Sequence, residues 1–246
     1  MANIEIWHAI RYISCMFRAT VVVFLLLIAL SASASELANA IADLESAWAA
    51  AYYQGSEAQQ KQAYPLLRKQ AEELVGRYPG AAEPKIWQAT IMVTNAGFES
   101  ALTALSTLEA AKALLETSIQ QNPKALDGAA YLTLGTLYYM VPGWPVSFGD
   151  NQLAEQMLRA SLAVNPNGID ANYYYGDFLL QQDRVREAES YFLKASLASV
   201  RKQQVLSDSR LQQQAKLALV NVAQQKAARG KHKFQSLFTA SNAVAE

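Results

Sequence analysis

The chain has 246 residues, 52% hydrophobic and 17% charged, with 21 basic and 21 acidic groups that cancel. That composition suits a globular chain with ample core and argues against nucleic acid as a partner, which calls for a basic surplus. One cysteine and two histidines leave no disulfide framework and too few parts for most nucleophile–base or metal sites.

The first apolar run, Ala19–Leu30, reads ATVVVFLLLIAL. It is shorter than the roughly 20 residues that a bilayer-spanning helix needs. Arg18 precedes it, and the small residues Ser31-Ala32-Ser33-Ala34 follow it. The spacing predicts a secretory signal over 1–34, cleaved after Ala34, with an uncleaved anchor as the alternative. The leader before the run is long and carries Glu5, so Met16 is the more conventional start. Cleavage removes Cys15 and His8 and leaves His232. Cys15 precedes the apolar run, so it is no lipoprotein acceptor. The expected product is periplasmic or secreted.

A helical domain is expected over 35–233. Glu36–Gln54 places Leu37, Ile41, Leu44 and Trp48 on one helical face, and Gly55 stops it. A second helix over 57–78 carries Tyr64, Leu67, Ala71 and Leu74, with Pro65 predicting a kink or a late start. A third runs from Pro84 through Trp87 and Ile91 to about Asn95. Residues 96–105 read as an insertion, after which Ser106 and Glu109 form a capping box for a fourth helix that ends at Asn122-Pro123.

The fourth helix opens a register that recurs. Ala111, Leu115, Ser118 and Pro123 match Ala154, Leu158, Ser161 and Pro166, and then Ala188, Phe192 and Ala195. Leu134-Gly135 and Tyr175-Gly176 fall at matching places in the partner helices. A period of about 34 residues with this small-and-large pattern is the mark of tetratricopeptide helix hairpins. The small residues let one helix backbone approach the next. The fold class expected is all-α, a tetratricopeptide-like helical-hairpin solenoid of about three to four repeats, closed by a C-terminal capping helix.

Between the two helices of one unit lies the connection Val141-Pro-Gly-Trp-Pro-Val-Ser-Phe-Gly149, longer than the usual turn. Asp150 caps the following helix. Trp144 and Phe148 either tuck back over the helix ends or line a groove or subunit contact. A last helix is expected over Gln203–Arg229, and Phe234–Glu246 as a frayed tail. Basic residues from Arg201 to Lys233 face Asp208 as the one acid of that segment. They make either a basic arm for an anionic partner or a helix that packs on the acidic remainder.

No catalytic, cofactor or metal site is legible. Tyr131, Tyr138 and Tyr175 fall on packing faces, and Tyr139 and Tyr173 fall nearer a groove.

The segment Leu126–Tyr131, Gly135, Tyr138-Tyr139, the Val141–Asp150 connection and Asn165–Asp177 resemble the TatT family, helical-repeat proteins associated with periplasmic TRAP transporters. The resemblance spans about residues 80–200 and implies a solute-binding protein as partner, trimers, and a groove or pore for a small apolar ligand. Studied members are lipoproteins, and here the lipid-accepting cysteine is missing. In related repeats the first helix of each hairpin lines the concave face. By that analogy Gln88, Met92, Leu132, Thr136, Tyr139, Tyr173 and Asp177 face a ligand, with Trp144 and Phe148 at the rim. The function expected is a non-enzymatic periplasmic scaffold. Its rival is an envelope-assembly scaffold that uses the basic C-terminal segment.

Overall fold

The computed structural model describes residues 34–242, with side chains as far as Gln224. The expected leader through Ser33, with Met16 and Cys15, lies outside the described residues, as do the side chain of His232 and residues 243–246. The chain divides between Asp43 and Leu44 into two units. Helix α1 covers 34–54 and crosses that boundary. The second unit continues with α2 (Glu57–Arg77), α3 (Glu83–Ala96) and α4 (Ala101–Gln121). A 3-10 turn (Ala125–Gly128) leads into α5 (Ala129–Met140), α6 (Asn151–Val164), α7 (Ile169–Gln181), α8 (Val185–Leu197) and α9 (Val205–Asn242). No strand forms among the described residues. No helix among them is long and apolar enough to cross a membrane.

The recurring register is the core. Ala111, Leu115 and Ser118, then Ala154, Leu158 and Ser161, then Ala188, Phe192 and Ala195, are all essentially inaccessible to solvent. Each set faces the preceding helix, giving the hairpins α3/α4, α5/α6 and α7/α8. The glycines mark the closest approaches. A Cβ on Gly135 would lie 2.8 Å from Leu158 Cγ and 3.0 Å from its backbone nitrogen. On Gly176 it would lie 3.0 Å from the Phe192 ring. A polar clamp reinforces the stack at Glu155, whose Oε1 accepts from Tyr175 Oη (2.9 Å), Arg184 Nη1 (2.9 Å) and Arg159 Nη2 (2.8 Å).

Three boundaries depart from the sequence reading. Helix α2 starts at Glu57 on a Ser56–Gln59 capping box and runs through Pro65, so Pro65 does not delay its start. Helix α4 starts at Ala101, because the Ser100 hydroxyl accepts the Thr103 N–H and caps it there. The expected 96–105 insertion therefore shrinks to a tight turn, and the Ser106–Glu109 box lies inside a helix. At the other end α9 continues past Arg229 to Asn242, since Gly230 alone costs a helix only about 1 kcal/mol.

The Val141–Asp150 connection is a loop held by its own backbone. The Gly149 N–H donates to the Pro142 carbonyl (3.0 Å) and the Asp150 N–H to the Tyr138 carbonyl (2.8 Å). A side chain at Gly149 would run into the Val141 carbonyl. The Trp144–Pro145 peptide is cis. Phe148 turns inward, edge-on to Tyr138 at 5.9 Å, while Trp144 is 90% exposed. The two aromatics therefore part company. Trp144→Ala is expected to shift the melting temperature by less than about 2 °C, the scale of a surface change, as read by circular dichroism.

Candidate functional site

A cavity of about 440 Å³ opens in the second unit, and one helix of each successive pair lines it. Helix α1 contributes Glu45, Trp48 and Tyr52, spaced i, i+3, i+7 on one face, with Tyr53 beside them. Helix α3 contributes Trp87, Thr90 and Thr94, and α5 contributes Leu132, Thr133, Thr136 and Met140. Asp170 and Tyr174, one turn apart, come from α7. Arg201, Gln204, Ser207 and Leu211, at the start of α9 and just before it, close the remaining side. The C-terminal helix thus does more than cap the stack, because its first turns form a wall of the cavity.

Part of the lining is aromatic. Trp48 stacks on Tyr52 at 5.0 Å and meets Tyr53 edge-on at 6.0 Å, while Trp87 tilts against it at 5.5 Å. Trp48 Nε1 donates to Thr94 Oγ1 (3.3 Å), which ties α1 to α3. The Trp87 indole N–H is buried with no acceptor among the described residues. Desolvation holds the Tyr53 and Tyr174 phenols well above their ordinary range, so both stay neutral.

Another part of the lining is ionic. Arg201 donates from Nη2 to Asp208 Oδ1 (2.6 Å) and from Nε to Asp208 Oδ2 (3.0 Å). Its Nη2 also reaches Asp170 Oδ2 at 3.1 Å, and Asp127 Oδ2 lies 3.9 Å from Nη1. Beside them Glu45 is buried. Desolvation pushes its carboxyl up to about 7, although a Gln204 hydrogen bond and the Arg201 charge pull the other way. Leu126 and Asp127 adopt left-handed backbone (φ 47° and 57°), a conformation costing roughly 1 kcal/mol or more per non-glycine residue. That turn holds Leu126 in the cavity wall and Asp127 beside Arg201.

Since the folded Glu45 keeps its proton to a higher pH than the unfolded chain, stability falls as pH rises from 4.5 toward 7 and then levels. Glu45→Gln mimics the protonated form. It is expected to stabilise the fold by on the order of 2–3 kcal/mol at pH 8 and by little at pH 4, as read by urea denaturation at both pH values.

Of the residues singled out in the sequence, Leu132 and Thr136 line this cavity. Met92 does not, because it is buried in the hydrophobic core with 2% exposure. Gln88 hydrogen-bonds Glu72 on the outside (3.4 Å). Tyr139 and Asp177 hydrogen-bond each other (2.9 Å) and join α5 to α7. Tyr173 packs on Tyr174 and Phe192. Trp144 and Phe148 lie outside the lining, so they form no rim to it. On α3 and α7 the face that lines this cavity carries Trp87/Thr90/Thr94 and Asp170/Tyr174, and is rotated from the face read in the sequence. The α1 face escapes the sequence reading, although the i, i+3, i+7 spacing of Glu45, Trp48 and Tyr52 carries its signal. Arg201 is engaged by Asp208 and by Asp170 of α7, which fits the reading of that segment as a helix packed on the acidic remainder and not as a free basic arm.

With the first helices of successive hairpins facing one cavity, the arrangement matches a known scaffold. The chain is similar to a thermophilic TPR protein of Thermus thermophilus, at 19% sequence identity and a TM-score of 0.50, over 78% of this chain and 96% of that one. The fold is tetratricopeptide-like. No protein-family model and no curated protein matches the chain. Stacked repeats of this kind build extended concave surfaces. Among the described residues no cluster of three or more His, Cys, Asp or Glu is placed to hold a metal.

Proposed function

We propose that the chain is a non-enzymatic periplasmic scaffold that holds a small, mostly apolar ligand in the cavity walled by α1, α3, α5, α7 and α9 while a protein partner docks outside. The observation that carries the ligand is the cavity itself. Its volume of about 440 Å³ falls in the range of small-molecule sites, roughly 300–1,000 Å³, and its aromatic walls with a few convergent polar groups are what such sites use. The export-type leader supports the periplasmic setting. The resemblance of residues 80–200 to the TatT family supports a TRAP solute-binding protein as the partner.

The neutral apolar fluorophore N-phenyl-1-naphthylamine tests the ligand reading. Saturable enhancement at one site per chain is expected, with quenching of tryptophan emission because Trp48 and Trp87 line the cavity. Enhancement that never saturates, or none, counts against it, and no binding of small charged or neutral aromatic probes either overturns it. The partner reading is tested by capture on the immobilised chain, with a TRAP solute-binding protein enriched over other periplasmic proteins as the expected result. No enrichment removes it.

A further inference from the structure

The cavity lining combines aromatic rings with a negatively charged cluster. Its charged lining residues are Glu45, Asp170 and Arg201. Arg201 is already engaged by Asp208 and Asp170 and lies near Asp127. Asp208 is fully buried behind it. Arg201 therefore stands against Glu45, Asp170 and Asp208, so this part of the lining is negative whenever Glu45 is ionised. Glu45 sits one helical turn before Trp48, and Tyr52 one turn further on, on the same face of α1. An occupant of the cavity that reaches Glu45 therefore also lies close to indole and phenol rings. Ring faces attract a cation that has left water, and tryptophan does so best.

We propose that the ligand of this cavity is an organic ammonium with an apolar body, its charge held between the aromatic rings and the Glu45 carboxylate. An anion would meet the carboxylates of the lining, and a neutral molecule would leave them uncompensated. The inference rests on the cavity being a ligand site and adds the sign of the ligand's charge. The groups facing Glu45 are Arg201 and Gln204 ahead of α9, Asp208 on α9 and Asp170 on α7. With its carboxyl raised to about 7, Glu45 is mostly protonated at pH 6 and mostly ionised at pH 8, so cation affinity rises between the two.

The test is isothermal titration of the chain with benzyltrimethylammonium, whose charge does not titrate, alongside 2-phenylethanol and 3-phenylpropionate. The cation is expected to bind at least tenfold tighter than either at pH 8, with its affinity falling by about tenfold at pH 6, where the competent ionised form is the minority. Glu45→Gln, with melting checked first, is expected to erase both the preference for the cation and its pH dependence. Should that variant fail to fold, the pH dependence in the unmodified chain decides alone. Equal binding of cation and alcohol, tighter binding of the anion, or affinity flat from pH 6 to 8 overturns the proposal. If N-phenyl-1-naphthylamine still saturates, the cavity remains a ligand site and only the cation inference falls. If neither it nor any of the three probes binds, both readings fall.

Discussion

Replacing Arg201 with leucine is expected to cost the fold about 3–5 kcal/mol, the scale for leaving one partner of a buried ion pair uncompensated. Asp208 is fully buried, and the guanidinium grips both its carboxylate oxygens at 2.6 and 3.0 Å. The same guanidinium reaches Asp170 on α7 at 3.1 Å, so it also ties the start of α9 to the last hairpin. Without it the Arg201 backbone N–H still donates to Asp208 at 2.7 Å, but no positive charge remains there. The double variant Arg201→Leu/Asp208→Asn removes the stranded charge and is expected to recover part of the loss. Urea denaturation of the two variants measures this. A single-variant cost under about 1 kcal/mol would mean that this ion pair does not hold α9 in place.

Gly135→Ala is expected to destabilise by about 1–3 kcal/mol, the usual cost of overpacking a filled core. The added methyl would meet Leu158 Cγ at 2.8 Å and the Leu158 backbone nitrogen at 3.0 Å. The backbone nitrogen cannot swing aside as a long side chain can. Helix propensity alone predicts the opposite sign, since alanine is better than glycine by roughly 1 kcal/mol in a helix interior. Gly76 in α2 supplies the control, because nothing lies within 4 Å of a Cβ placed there. Gly76→Ala is therefore expected to stabilise by about 0.5–1 kcal/mol. Opposite signs at two helical glycines would show that contact at Gly135, and not propensity, sets the outcome. Stabilisation at both positions would remove the close α5/α6 approach from the account.

The hairpins are legible in the sequence because their packing depends on residue size at fixed spacing. Ala154, Leu158 and Ser161 announce themselves there, and all three are inaccessible in the fold. Gly135 and Gly176 are likewise readable as near-contact points. The cavity is less so, because which face of a first helix looks inward depends on how far each hairpin rotates on its neighbour. A turn of about 100° about the helix axis, the step between neighbouring residues, exchanges Gln88 for Trp87 on α3 and Tyr173 for Tyr174 on α7. The ionic part of the lining is hidden for a different reason. Glu45, Asp170 and Arg201 lie far apart in the chain, and helical periodicity carries no information about which distant helices meet. Ser100 as the true cap of α4 is masked by the stronger-looking Ser106–Glu109 motif, since a capping pattern inside a good helix former is silent.

The first helices of successive hairpins and the start of α9 line one space, and the function proposed for the chain requires that this space take a ligand. Filling that space is the most direct test. Thr133 lines it from α5, and Thr133→Trp would occupy much of it. The account predicts that this variant melts within a few degrees of the unmodified chain and no longer takes up N-phenyl-1-naphthylamine. Undiminished uptake by a folded Thr133→Trp chain would contradict it.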